Sequence, residues 1–141
     1  MLARGSQSKA RRGMVRKYFY IFHIAIWLFA VFGVGNIGKF HIREFISAGA
    51  DVAAILGSSQ ETSVKTAENL RIEFGVQPEP YFNLDNLIKG ESLDAVSVCT
   101  PPNLHYAQVK KCLETGLHVL CEKPFVFNSY LGNYDKAKEL I

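Results

Sequence analysis

The turn Gly33-Val34-Gly35-Asn36-Ile37-Gly38 constrains this chain more than any other feature, because of what stands on either side of it. Residues 26–34 are almost continuously apolar, as in a strand covered on both faces of a parallel sheet. Over residues 37–48, Ile42, Phe45 and Ile46 recur at helical spacing, and Gly49 stops the helix. A strand must therefore pass through a tight glycine turn directly into a helix. In such a turn Gly33 permits the sharp bend, Gly35 lets backbone come close to a bound group, and Gly38 lets helix and strand pack tightly. The N–H groups at the helix start have no partner within the helix and, with its dipole, favour an anion.

The rest of the chain repeats the alternation. Residues 51–56 read as a second strand, 61–73 as a helix starting near Thr62, and Tyr81-Phe82 as a short third strand after a loop marked by Pro78 and Pro80. Residues 84–88 predict a short helix, 94–99 a fourth strand, and Thr100-Pro101-Pro102 its stop. Asn103 is expected to cap the following helix, 118–121 to form a fifth strand, and 128–141 a last helix begun by Asn128 or Ser129. This order predicts an α/β fold, a doubly wound parallel sheet of the Rossmann type over residues 26–141. Ligands of such sheets bind beyond the strand C-termini, where Gly33–Gly38, Thr100–His105 and Glu122–Pro124 all fall. The glycine turn then becomes a cradle for a dinucleotide pyrophosphate, contacted by Gly33, Gly35, Asn36, Ile37 and Gly38.

Charge narrows the partners. The formal net charge is +3, but six basic and no acidic residues lie in residues 1–17, so the rest is net −3. A mildly acidic body gives no reason to expect nucleic-acid binding. The three cysteines have no metal-ligand spacing and read as reduced thiols of a cytoplasmic protein, with no metal site. Residues 1–25 read as a basic, then apolar, N-terminal extension. A membrane anchor through residues 18–34 is the alternative, but that run is 17 residues long, is broken by His23, and ends in the strand that the glycine turn requires.

The second strand ends in Leu56-Gly57-Ser58-Ser59-Gln60, with no carboxylate before Glu61. An acid there would hold the ribose hydroxyls of NAD and repel a 2′-phosphate. Ser58 and Ser59 instead suit that phosphate, so NADP is the preferred cofactor and NAD the alternative.

Three motifs carry a family resemblance: Gly-Val-Gly-Asn-Ile-Gly followed by His41, Thr100-Pro-Pro-Asn-Leu-His105, and Gly116-Leu-His-Val-Leu-Cys-Glu-Lys-Pro124. In that order, from about Val31 to Phe125, the chain resembles the N-terminal domain of the glucose–fructose oxidoreductase, inositol dehydrogenase and MocA (Gfo/Idh/MocA) family. The resemblance implies NAD(P)-dependent hydride transfer at a sugar or polyol hydroxyl, or at a related carbonyl. It implies that Lys123 assists proton transfer as the catalytic residue and that Glu122 contacts the nicotinamide ribose region. It further implies that Thr100, Pro101, Asn103 and His105 line the cofactor channel. His41 is read as packing on its own helix. The family continues into a second α/β domain that binds substrate and commonly forms the dimer interface. By that comparison this chain is a fragment or short product, with substrate turnover and oligomerisation expected only alongside such a domain. The alternative is a dinucleotide-binding module without turnover. Tyr134 and Lys138 match the spacing of a short-chain dehydrogenase pair, but the glycine pattern differs.

Overall fold

The computed structural model describes residues 26–126 and 133–140. Its centre is a five-stranded sheet: β1 (Leu28–Phe32), β2 (Asp51–Leu56), β3 (Glu79–Tyr81), β4 (Ala95–Val98) and β5 (His118–Cys121). The order is β3-β2-β1-β4-β5 and every pairing is parallel. The helices are α1 (Asn36–Ser47), α2 (Gln60–Phe74), α3 (Leu84–Gly90), α4 (Pro102–Glu114) and α5 (Asn133–Glu139).

The apolar runs of β1, β2 and β4 become strands with both faces covered, whereas β5 leaves His118 and Leu120 exposed. One face packs Val31, Val52 and Ile55 against Ile42 of α1 and Leu70 of α2. The other packs Ala30, Phe32, Leu56, Val96 and Val98 against Leu87 of α3 with Val109 and Cys112 of α4. The sheet is thus doubly wound, as expected. Strict alternation fails once in β2: Phe29 pairs with Val52 but Ala30 with Ala54. Ala53 is the extra residue of a bulge, which puts Val52 and Ile55 on one face although they are three positions apart.

Local chemistry sets the boundaries, and three expectations need correction. Tyr81-Phe82 is not the third strand; β3 is Glu79–Tyr81, with Phe82 beyond it and exposed. Pro80 is tolerated because β3 lies at the sheet edge, where its missing N–H breaks no ladder. Asn103 caps nothing. Helix α4 begins at Pro102 with Pro101 as its cap residue and no side-chain cap bond, so proline's fixed φ does the work assigned to the asparagine. Helix α2 starts at Gln60, because the Ser59 side chain accepts the Thr62 N–H and the Thr62 hydroxyl bonds back to the Ser59 N–H. The expected cap residues Asn128 and Ser129 lie outside the described residues. Among those described, no helix is long and apolar enough to cross a membrane.

Candidate functional site

The sheet order changes direction between β1 and β4, and the site forms beyond that point. Backbone bonds lock the strand ends together: Gly33 N–H donates to Leu56 O at 3.0 Å, Cys99 N–H to Phe32 O at 2.8 Å, and Glu122 N–H to Val98 O at 2.9 Å. The glycine turn, the Thr100–Pro102 turn and the Glu122–Pro124 turn thereby follow three adjacent strands, β1, β4 and β5.

Each glycine of the turn has its own reason. Gly33 has φ +78°, and an added Cβ would lie 2.8 Å from Cys99 O and from the Thr100 backbone. Gly38 is buried, and its Cβ would lie 2.3 Å from Gly33 O, so only glycine lets α1 start this close to β1. Gly35 is different. Its Cβ would meet nothing within 4 Å. It caps α1 without a side-chain bond, and the first helical bond runs from Lys39 N–H to Gly35 O. The N–H groups of Asn36, Ile37 and Gly38 are left over, and Asn36 and Ile37 are exposed. Open space at a Cβ position, beside unpaired donors at a positive helix end, fits a pyrophosphate cradle.

Ser58 and Ser59 stand at the end of β2, both exposed. Ser59 is occupied: its hydroxyl lies 2.9 Å from Thr62 Oγ1 and accepts the Thr62 N–H at 3.2 Å. Ser58 Oγ makes a longer contact, 3.3 Å, with the same threonine hydroxyl. The Ser59 hydroxyl thus serves the helix, while that of Ser58 is held by the longer contact alone.

His105 is held through both ring nitrogens. Its ring is buried, with Nδ1 2.8 Å from Pro124 O and Nε2 2.8 Å from Thr100 O. It ties the turn after β5 to the turn after β4. Thr100 donates its hydroxyl to Gln108 Oε1 at 2.6 Å, which fixes that turn to α4. Pro101 and Asn103 are exposed beside it. The Lys123–Pro124 bond is cis, and Lys123 is exposed.

His41, read from sequence as helix packing, reaches β4 and the turn after β5. Its Nδ1 lies 2.7 Å from Ser97 Oγ and its Nε2 2.9 Å from Glu122 Oε1. The signal for it was Ser97, a lone polar residue in the fully buried strand Ala95-Val96-Ser97-Val98. Cys99 lies alongside, 3.5 Å from both Ser97 Oγ and His41 Nδ1. Burial pushes its thiol up, the Ser97 hydrogen bond opposes this, and the Glu122 charge adds to it. All three cysteines are free, and burial is the first cause of the raised values at Cys112, about 12, and Cys121, about 11. Among the described residues no cluster could hold a metal ion.

Residues 27–141 match the family described as "Oxidoreductase family, NAD-binding Rossmann fold" (GFO_IDH_MocA). UDP-N-acetylglucosamine 3-dehydrogenase of Acidithiobacillus ferrooxidans is 30% identical over 99 residues, 70% of this chain and 29% of that protein. An inositol 2-dehydrogenase/D-chiro-inositol 3-dehydrogenase of Shouchella clausii is 38% identical over 96 residues, 67% of this chain and 27% of its own length. Among solved structures, the Acidithiobacillus enzyme superposes with TM-score 0.65 at 27% identity, covering 83% of this chain and 34% of that one. The myo-inositol 2-dehydrogenase of Lactobacillus plantarum reaches 0.69 at 24% identity, covering 82% and 33%, a likeness of fold alone. The chain thus spans under a third of the length of these two curated relatives. With the glycine cradle, the parallel sheet and the Glu-Lys-Pro turn in place, the chain belongs to the Gfo/Idh/MocA oxidoreductase family through its NAD-binding Rossmann domain.

Proposed function

We propose that this domain binds NADP, or NAD as the alternative, and serves hydride transfer at a hydroxyl carbon of a sugar or polyol, or at a related carbonyl. The observation that carries this reading is the open cradle at Gly35, facing unpaired N–H groups and flanked by the turns after β4 and β5. The pyrophosphate sits on the N–H groups of residues 36–38. Ser58 and the first turn of α2 take the adenine ribose and its 2′-phosphate. Thr100, Pro101 and Asn103 border the dinucleotide on the β4 side, while Glu122 reaches the nicotinamide ribose. When bound, the dinucleotide supplies the hydride acceptor or donor. Lys123 Nζ takes the hydroxyl proton as the carbon is oxidised and returns it on reduction. The substrate class rests on relatives named as dehydrogenases of inositol, of a sugar nucleotide and of D-xylose, the last an NADP(+) enzyme. A structural neighbour of lower identity, from Bordetella pertussis, is described in complex with NADH.

The test is a calorimetric titration of the 141-residue chain with NADPH and NADH. Binding of NADPH, lost in Gly35→Val, supports the reading; unchanged binding in that variant overturns the cradle. Tighter binding of NADH than of NADPH overturns the 2′-phosphate assignment. A second reading is a binding module without turnover. Turnover of inositol or xylose by the chain alone refutes the second reading.

A further inference from the structure

Ser97 has no exposed surface and sits between valines in the centre of the sheet. A hydroxyl buried there is costly unless it is bonded. Its partner is His41 Nδ1, and the other nitrogen of that ring meets Glu122 Oε1. A carboxylate can only accept, so Nε2 must be the donor. In the neutral ring Nδ1 is then an acceptor, and the Ser97 hydroxyl proton points to it. The donors therefore run one way, with the Glu122 carboxylate setting the tautomer, Ser97 donating to the bare Nδ1 and His41 presenting an N–H to the acid. Phe40 and Phe45 meet the imidazole edge-on at centroid distances of 6.3 and 6.0 Å, which further fixes its plane. Among the described residues Glu122 Oε2 takes no hydrogen bond.

We infer that His41 is a positioning residue: with Ser97 behind it, it holds Glu122 by Oε1 and leaves Oε2 to receive a hydroxyl of the bound dinucleotide. The inference rests on the reading of Glu122 as a cofactor contact, and it assigns a role to α1 beyond its cradle. Without the ring, the carboxylate must be ordered by the ligand itself, and that ordering is subtracted from affinity.

The experiment uses the whole chain. NADPH titrations compare wild type, His41→Leu, His41→Gln and Glu122→Gln, each with its unfolding midpoint measured. His41→Leu weakens binding roughly tenfold or more, the scale of one charge-assisted hydrogen bond. His41→Gln, whose amide can reach the same carboxylate, restores most of the loss, which a merely packing role does not predict. In the Glu122→Gln background the leucine change has a much smaller effect. His41→Leu/Ser97→Ala repeats the measurement without stranding the buried hydroxyl, in case the single variant fails to fold. A readout free of ligand is the ¹⁵N spectrum of the imidazole in mildly alkaline buffer, which shows Nε2 protonated and Nδ1 bare. The opposite tautomer, wild-type affinity in the leucine variants, or no rescue by glutamine overturns the inference. A wild-type chain that binds neither NADPH nor NADH overturns the cofactor reading beneath it, whatever tautomer is found.

Discussion

Gly35 and Gly38 are three residues apart in one motif, yet alanine at the two positions should fail in different assays. At Gly38 the new Cβ lies 2.3 Å from Gly33 O and 3.1 Å from Gly33 C, both backbone atoms of the turn that bonds to Leu56. Ordinary van der Waals contact begins near 3.4 Å, so α1 must retreat by about an ångström from a sheet that holds Val31 and Ile42 fully buried. Overpacking of that kind costs about 1–3 kcal/mol, and the rigidity of a backbone neighbour puts Gly38→Ala at the upper end. For a domain of this size about 3 kcal/mol lowers the unfolding midpoint by roughly 10 °C. At Gly35 the Cβ meets nothing, and φ −84°, ψ −159° is extended backbone that alanine adopts. The loss there is the poorer cap alone, a few tenths to about 1 kcal/mol. Gly35→Ala should therefore melt within roughly 3 °C of wild type while NADPH affinity falls, more steeply in Gly35→Val. Calorimetric melting and titration of the same samples decide it. Equal destabilisation by the two alanines, or full binding by a folded Gly35→Val chain, refutes the division of labour.

Three other outcomes follow from the same geometry. Ser59→Ala should cost about 1 kcal/mol in urea unfolding by removing the α2 cap, and should leave the ratio of NADPH to NADH affinity unchanged, whereas Ser58→Ala should lower that ratio. His105→Ala should cost about 2–4 kcal/mol, because it removes a buried ring and its contacts to Thr100 O and Pro124 O. Chymotryptic cleavage after Phe125 should accelerate at the same time. Burial raises the Cys112 thiol from 9.0 to about 12, so the fold favours its protonated form; that contribution is full below pH 9.0 and is lost as pH rises towards 12. The stability difference between wild type and Cys112→Ala, followed by urea unfolding, should shrink over that window, and a constant difference refutes the assignment.

What was legible in the sequence is what local chemistry decides alone. The second and fifth strands stand where their apolar runs place them, because each run is bounded by turn residues; the second is buried almost throughout, whereas the fifth leaves His118 and Leu120 exposed. The third strand is expected too late, at Tyr81-Phe82, because Pro80 reads as loop, and only the sheet order reveals that its strand is an edge. Asn103 was misjudged because a good capping residue counts for nothing when two prolines have already fixed the entry to the helix. In the candidate site, the glycine spacing and the Glu-Lys-Pro turn could be read directly. The two histidines could not, because the direction of an imidazole is set by partners far away in sequence: Ser97 and Glu122 for His41, Thr100 and Pro124 for His105.

Those histidines also tie the three turns to one another. The strand order makes β1, β4 and β5 neighbours, but adjacency alone leaves each turn free to move on its own. His41 joins α1 to β4 and to the acid after β5, while His105 joins the turn after β4 to the turn after β5. Each tie closes between groups at least partly buried, where a hydrogen bond is stronger than in water. On the proposed reading, a dinucleotide that spans from the glycine turn to Lys123 meets donors and acceptors already held in register. Less of its binding energy is then spent on ordering the protein. On this argument the two ties are not interchangeable: loss of His41 should be felt first in cofactor affinity, and loss of His105 first in stability.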